Sequence, residues 1–196
     1  MPDKDKNYQF PNDPKPYQLL ESKYLFTQPP WLVMREDRLK VPDGGIIEKY
    51  WVWEYPAWVN VIAITERNEI VLIRQYRYAL GKVYFEIPAG TIDPGETNLE
   101  SAARRELLEE TGYGEGTWEL FMTLSANPAL QNNLTYTFLA KGVRKISEQK
   151  LESTEDIQVH LMPVDELKEI LFNEGFIQAL HTAPLLKYLL MREQGN

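Results

Sequence analysis

Apolar and polar residues alternate with a period of two between residues 23 and 54, which is the pattern of half-buried β-strands. Two of these stretches, WLVMREDRLKV (31–41) and IIEKYWVWEY (46–55), are joined by PDGG, a sequence typical of a hairpin turn. Residues 1–18 come before them and carry four prolines, which interrupt both helices and strand pairing. The pattern predicts an N-terminal arm followed by a small antiparallel β unit.

A longer series of strands is predicted after Pro56, because β-branched and aromatic residues are concentrated in short runs. These runs are WVNVIAIT (58–65), IVLIRQYRYAL (70–80), VYFEIP (83–88), WELFMTLSA (118–126), LTYTFLAKG (134–142) and IQVHLMPV (157–164). Two helices are predicted at the end of the chain, over residues 163–175 and 176–193. We therefore expect an α+β fold in which helices cover both faces of a mixed sheet. The arm and β unit would occupy residues 1–56 and the main domain residues 57–196.

One further helix is predicted near the middle of the chain, beginning near Asn98 and ending at Gly112, where glycine can adopt the left-handed backbone conformation. Its last turns hold Glu106, Glu109 and Glu110. Like charges at these spacings each destabilise a helix by about 0.2–0.5 kcal/mol, and acids at this end face the negative pole of the helix dipole. A divalent cation would reverse both effects, because clustered carboxylates are its preferred ligands.

The helical spacing puts the three glutamates on the side that also carries Ala102 and Ala103, so we expect another chain segment or a ligand to approach closely there. The loop before the helix, PAGTIDPGE, adds Gly90 and Glu96. A glycine-rich loop followed by an acidic helix predicts a cradle for a metal-bound diphosphate. The alternative interpretation is a solvated acidic face that neighbouring arginines neutralise.

Composition narrows the choice of substrate. The formal net charge of the 196 residues is -8, which gives no broad surface for nucleic acid or an anionic membrane, so an anionic substrate needs local cations. The sequence has no cysteine, which excludes disulfides, thiol nucleophiles and cysteine-bound zinc. No run approaches the roughly 20 apolar residues of a membrane span, and the start has no signal-peptide pattern. We expect a soluble, cytoplasmic protein that acts on a small molecule.

The central motif resembles the Nudix box, which reads glycine, five residues, glutamate, seven residues, then Arg-Glu-apolar-any-Glu-Glu-any-Gly-apolar. The residues that match are Gly90, Glu96, Arg105, Glu106, Leu107, Glu109, Glu110, Gly112 and Tyr113. One departure is that eight residues, and not seven, separate Glu96 from Arg105. An extra residue in the loop would leave the helix acids unchanged relative to one another, whereas one inside the helix would rotate everything upstream by about 100°.

The resemblance implies a Nudix-type α/β/α sandwich and a metal-dependent hydrolase. In this family the residues equivalent to Glu106 and Glu110, with the carbonyl of Ala89, bind the catalytic metals, Mg²⁺ or alternatively Mn²⁺. The equivalent of Glu109 assists them, and that of Arg105 orients the acids through a salt bridge.

Other stretches of the sequence, including VPDGG, VLIRQYRYALG and FEIPAG, resemble the ADP-ribose pyrophosphatase branch of the family. Arginine suits phosphate, so Arg77, and after it Arg74, are the expected cations for the diphosphate. The catalytic base is expected to be Glu152 or Glu155, of which Glu155 also resembles a metal-associated residue of the branch.

The same branch implies a homodimer in which N-terminal strands help to bind substrate, so Trp51 and Trp53 are expected to contact it. Packing of both tryptophans within one subunit is the alternative. The expected reaction converts ADP-ribose to AMP and ribose 5-phosphate. Other nucleotide sugars such as GDP-mannose, nucleoside triphosphates and a non-catalytic ligand-binding module are the alternatives.

Overall fold

Three antiparallel strands form the first of two units into which the described residues divide, with the boundary between Tyr55 and Pro56. The computed structural model describes residues 10–93, 95–173 and 175–195, so the first nine residues of the predicted arm lie outside it. The strands are β1 (Gln18–Gln28), β2 (Leu32–Lys40) and β3 (Ile46–Glu54), paired in the order β1-β2-β3. The predicted β2–β3 hairpin is present, and β1 begins five residues earlier than the pattern indicated.

The second unit contains an eight-stranded sheet in the described part of the chain. Its strands are β4 (Trp58–Thr65), β5 (Glu69–Arg77), β6 (Lys82–Glu86), β7 (Ala89–Thr91), β8 (Tyr113–Gly114), β9 (Thr117–Leu124), β10 (Thr135–Lys145) and β11 (Ile157–Pro163). Its helices are α1 (Leu99–Thr111), α2 (Leu167–Phe172) and α3 (Ala179–Glu193). Strand β10 runs parallel to β4 while the other pairs are antiparallel, so the sheet is mixed. The predicted α+β fold is confirmed. None of the helices described is long and apolar enough to cross a membrane.

Strand β4 separates two hydrophobic layers because its side chains alternate between the faces of the sheet. Ile62 and Ile64 belong to the layer that α2 and α3 cover. Val61 and Ala63 belong to the layer under α1, to which the helix contributes Ala102, Ala103 and Leu107. Of the two expected partners of this face, it is another chain segment that approaches: the two alanines are fully buried against the sheet, where small side chains let the helix come close.

The sheet divides between β4 and β5, which pair only through Ala63 with Val71 and Ile64 with Ile70. Beyond these pairs β5 is joined to β6, and β4 is joined to β7. Residues 86–91 connect the two sides of the division. Polar residues can enter the protein here because the strands no longer fill the space between them with apolar side chains.

Asn60 on β4 shows how such a polar residue is used. Pro184, inside α3, has no N–H to donate to the carbonyl of Leu180, four residues earlier. The side-chain amide of Asn60 donates to that carbonyl at 2.9 Å, and Asn60 is almost fully buried. A side chain from the sheet thus satisfies the carbonyl that the proline leaves unpaired.

His181, also on α3, should make stability depend on pH. Burial lowers its pKa to about 4, although the charge of Glu86 opposes the shift. Below a pH of about 6.5 the unfolded chain takes up a proton at this histidine that the folded protein does not. The free energy of unfolding should therefore fall by roughly 3 kcal/mol between pH 6.5 and 4. Urea unfolding of the wild type and His181→Gln across this range would measure the difference. Equal pH slopes for the two proteins would contradict the assignment.

Candidate active site

Helix α1 begins and ends at local signals in the sequence. The side chain of Asn98 caps the helix by accepting from the N–H groups of Glu100 and Ser101, at 3.0 and 3.1 Å. Gly112 ends it with a φ of 75° and donates its N–H to Leu108. Residues 99–111 form one continuous helix, so the three glutamates keep their helical spacing.

Arg105 ties the acids of the helix to the preceding loop. Its Nη1 donates to Glu106 at 2.9 Å and to Glu109 at 3.1 Å. Its Nη2 donates to the carbonyl of Thr91 at 3.1 Å and to Glu96 at 3.3 Å. One guanidinium group thus holds carboxylates from two segments of chain, and Glu96 contacts this arginine.

Glu106 packs its carboxyl group directly on the backbone of Gly90 in β7. A methyl group added at Gly90 would overlap that carboxyl group. The side chain of Glu106 is only 14% exposed, so it has little space into which it could move. Glycine is required here by close approach to the acid.

Gly90→Ala is therefore expected to lower kcat/KM about 100-fold, because displacing a catalytic group by about 1 Å can have an effect of that size. The measurement is steady-state hydrolysis, combined with thermal unfolding to verify the fold. Gly45→Ala is the matched control, since its added methyl group would come 3.0 Å from one methyl group of Val41 and would not meet a carboxylate of the site. Activity of Gly90→Ala equal to that of the control would contradict the role of this contact.

Glu110 lies deeper than Glu106, with only 5% of its surface exposed. Its Oε2 accepts the N–H of Ala89 at 2.9 Å, so the helix is joined to the start of β7. The predicted metal-binding residues Ala89, Glu106 and Glu110 are thus brought together by one strand and one helix.

Both helix acids resist being charged. Burial raises the pKa of Glu106 to about 7, against the opposing effect of Arg105, and the charges of Glu109 and Glu155 add to the rise. Burial also raises the pKa of Glu110 well above its usual value, although the Ala89 N–H opposes this. A bound cation would offset the cost of holding these carboxylates charged side by side, so the donor set fits a hard divalent ion. In the three described ranges, no group of three or more His, Cys, Asp or Glu residues is already arranged to hold a metal.

The two candidate bases differ in their relation to these acids. Glu155 is partly buried, and its charge raises the pKa of both Glu106 and Glu110. Glu152 is exposed, and its N–H donates to the carboxylate of Glu155 at 2.9 Å. The structure thus brings Glu155 within electrostatic reach of the helix acids, while Glu152 supports it through the backbone.

Arg77 and Arg74 lie on opposite faces of β5, as their spacing of three residues requires. Arg77 donates from Nε and Nη2 to the carboxylate of Glu86, and the charge of Glu110 acts on it. Arg74 stacks on the ring of Phe85, 5.0 Å from its centroid, on the side of the sheet that faces α3. The structure therefore associates Arg77, and not Arg74, with the acids.

Glu86 was not singled out from the sequence, yet it is only 3% exposed and carries this contact with Arg77. A cavity of about 450 Å³ opens beside the two residues and is lined also by Leu80, Tyr84 and Ile177. The sequence feature that could have pointed to Glu86 is that it is the single acid in FEIP, at an inward position of an otherwise apolar strand.

Trp51 and Trp53 lie on β3 in the N-terminal unit, and each keeps a large exposed surface, at 45% and 39%. The indole N–H of Trp51 donates to Glu36 at 3.2 Å, and that of Trp53 approaches the sulfur of Met34 at 3.0 Å. Packing within the unit leaves both rings partly uncovered, so their contact with substrate stays a prediction.

Similarity to known proteins agrees with this fold. The NUDIX domain family profile matches residues 54–181. A crystal structure of an ADP compounds hydrolase superposes with a TM-score of 0.80 at 21% identity, covering 93% of this chain and 98% of the other, which supports the fold. The chain belongs to the NUDIX family. The enzyme class predicted from the sequence, a Nudix hydrolase, is confirmed, and hydrolases of this family generally use divalent metal ions.

Several curated relatives cover most of the chain. The ADP-ribose pyrophosphatase of Bacillus subtilis is 32% identical over 79% of this chain and 83% of its own length. The ADP-ribose pyrophosphatase of Mycobacterium tuberculosis is 27% identical over 78% of this chain and 74% of its own length. The methanol dehydrogenase activator of Bacillus methanolicus is 32% identical over 82% of this chain and 85% of its own length.

Proposed function

We propose that this chain hydrolyses the diphosphate bond of a nucleoside diphosphate derivative in a magnesium-dependent reaction, converting ADP-ribose to AMP and ribose 5-phosphate. The observation that carries the proposal is the pair of glutamates, Glu106 and Glu110, held together with raised pKa values against the backbone of β7. The two relatives named ADP-ribose pyrophosphatase support the choice of substrate.

The cation would be held by Glu106, Glu110 and the carbonyl of Ala89, with Mn²⁺ as the alternative to Mg²⁺. When bound, such an ion neutralises charge on the phosphoryl oxygens and lowers the pKa of a bound water. Arg105 orients Glu106 and Glu109 through its hydrogen bonds, and Glu109 assists in the same charge cluster.

Glu155 is our candidate for the base that takes a proton from the attacking water. The new bond joins the water oxygen to phosphorus, and the bond to the bridging oxygen breaks. Glu155 is favoured over Glu152 because its charge acts on both helix acids, and the Glu152 N–H orients its carboxylate.

Arg77 is assigned to the diphosphate of the substrate. Its side chain is 43% exposed at the end of β5, and a guanidinium group can donate two parallel hydrogen bonds to phosphate oxygens. Its interaction with the charge of Glu110 links this cation to the acids electrostatically.

The N-terminal unit is proposed to form a homodimer, because its β-sheet leaves large apolar side chains uncovered, among them Tyr24, Phe26, Trp51 and Trp53. Sedimentation velocity is expected to give twice the mass of one chain, and Trp51→Glu/Trp53→Glu should reduce it. A monomeric wild-type protein at micromolar concentration would contradict this assembly. The cytoplasmic location expected from the sequence stays a prediction.

The substrate assignment is tested by incubating the protein with Mg²⁺ and a panel of ADP-ribose, GDP-mannose, other nucleotide sugars, dinucleoside polyphosphates and nucleoside triphosphates. Product release measured by chromatography should be fastest with ADP-ribose and should yield AMP. Higher kcat/KM for GDP-mannose would reassign the substrate within the same chemistry. Binding without turnover for every compound would favour a non-catalytic ligand-binding module.

A further inference from the structure

Glu86 and Arg77 form a contact that fixes the direction of the guanidinium group. Arg77 is the last residue of β5, and the hairpin register pairs Glu86 with Ile73, four residues earlier on that strand. The guanidinium group therefore reaches back along the hairpin, where Nε donates to Oε1 of Glu86 at 2.6 Å and Nη2 donates to Oε2. This two-point contact uses one edge of the planar group, and Nη1 has no hydrogen bond to the residues that the structure describes.

The carboxylate that makes this contact is itself immobilised. The side chain of Glu86 is 4% exposed and that of Arg77 is 43% exposed, so the pair joins a buried anchor to an accessible cation. Behind Glu86 lies His181 of α3, 2% exposed, with its Nδ1 3.8 Å from the carboxylate and without a hydrogen-bond partner in the described chain. An exposed arginine at a strand end would otherwise sample several rotamers, and the anchor removes that freedom.

A short stretch of backbone and one hydrogen bond also connect the pair to Glu110 of the helix. Only Ile87 and Pro88 separate Glu86 from Ala89, whose N–H donates to Glu110 at 2.9 Å. The Pro88 carbonyl accepts from Val61 on β4, which holds this connection in place. Arg77 is therefore fixed relative to the same segment of backbone that contacts Glu110.

We propose that Glu86 is a positioning residue that holds one edge of the Arg77 guanidinium so that the opposite edge binds the diphosphate of the substrate. This inference rests on the proposed function, in which Arg77 is the diphosphate ligand. The same contact allows an opposite interpretation, in which Glu86 only neutralises Arg77. The two interpretations predict opposite changes in affinity for Glu86→Gln. Removing a neutralising charge would strengthen anion binding, whereas removing a positioning contact would weaken it.

The test measures binding of two non-hydrolysable probes, methylenediphosphonate and the α,β-methylene analogue of ADP-ribose, by isothermal titration calorimetry in the presence of Mg²⁺. Glu86→Gln is expected to weaken both affinities about tenfold, at the lower end of what a hydrogen bond to a charged group contributes. Arg77→Gln should weaken them at least as much, and the double variant should bind no more weakly than Arg77→Gln, because Glu86 acts only through Arg77. Unchanged or tighter binding by Glu86→Gln would overturn the proposal, as would unchanged binding by Arg77→Gln.

Arg77→Lys provides a test that leaves the buried carboxylate paired with a cation. Lysine keeps the charge but has no planar group with two edges that can bind at once. The affinity of the Arg77→Lys variant for both probes should therefore fall close to that of Arg77→Gln. Wild-type affinity in Arg77→Lys would overturn the proposal. Arg104→Gln is the matched control. Arg104 pairs with Glu100 on the outer side of α1, so the Arg104→Gln variant should bind both probes with the affinity of the wild type.

The two probes separate this inference from the proposed function. Methylenediphosphonate has neither nucleoside nor sugar, so a loss of its binding in Glu86→Gln supports the positioning role even if no compound in the substrate panel is hydrolysed. In steady-state assays Glu86→Gln should raise KM for ADP-ribose about tenfold and change kcat less. A purely structural residue would instead lower the melting temperature and leave the probe affinities of the folded protein unchanged.

Discussion

Glu110→Gln is expected to lower kcat about a thousand-fold, at the upper end of the effect of losing one group that stabilises developing charge. Glutamine has nearly the same shape, and it can still accept the N–H of Ala89. It cannot supply the negative charge that a divalent cation requires. Thermal stability should be unchanged or higher, because burial and the charges of neighbouring acids oppose ionisation of Glu110.

Glu100→Gln is the matched control for this substitution. Glu100 lies in the first turn of the same helix, partly exposed and paired with Arg104, so its loss should leave kcat close to that of the wild type. The measurements are steady-state hydrolysis with Mg²⁺ and thermal unfolding without added cation, both at the same pH. If Glu110→Gln were as active as Glu100→Gln, the assignment of the buried acids to the cation would be wrong.

Glu155→Gln is expected to lower kcat by about 10²–10⁴-fold, the range for loss of a general base, and Glu152→Gln should leave kcat close to the wild-type value. The difference arises because the carboxylate of Glu155 interacts with Glu106 and Glu110, while Glu152 contributes its backbone N–H, which glutamine retains. Steady-state hydrolysis of ADP-ribose measures both variants.

Circular dichroism would verify that both loop variants keep the wild-type fold. Since the two residues lie in one loop and undergo the same chemical change, each serves as the control for the other. The reverse order, with Glu152→Gln inactive and Glu155→Gln active, would assign the base to Glu152. Full activity of both variants would place the base outside this loop.

Local signals account for the parts of the site that could be predicted. Asn98 and Gly112 mark the ends of α1 because a cap and a left-handed glycine act within a few residues of chain. The spacing of Glu106 and Glu110 then follows from helix geometry alone. The same locality let the alternation of apolar residues indicate β2 and β3 correctly, and runs of β-branched residues indicate β4 and β5.

Contacts between distant segments explain what the sequence left open. The face of α1 with Ala102 and Ala103 could as well have met a ligand as a sheet, and only the packing of β4 and β10 against it settled the question. Alternation already separates Arg74 from Arg77 on β5, but it does not tell which face carries the acids. That choice depends on which face of the sheet α1 packs against.

The amino-acid sequence was sufficient for most of the strands and helices and for the helix that carries the acids, because each depends on neighbours within a few turns of chain. The class of chemistry came from the resemblance of that helix and its loop to the Nudix box. The partners of Arg77, the close approach of Gly90 to Glu106 and the preference for Glu155 over Glu152 required the folded protein. Each of these is an interaction between residues 9 to 49 positions apart, and its energy depends on burial that no local pattern reports.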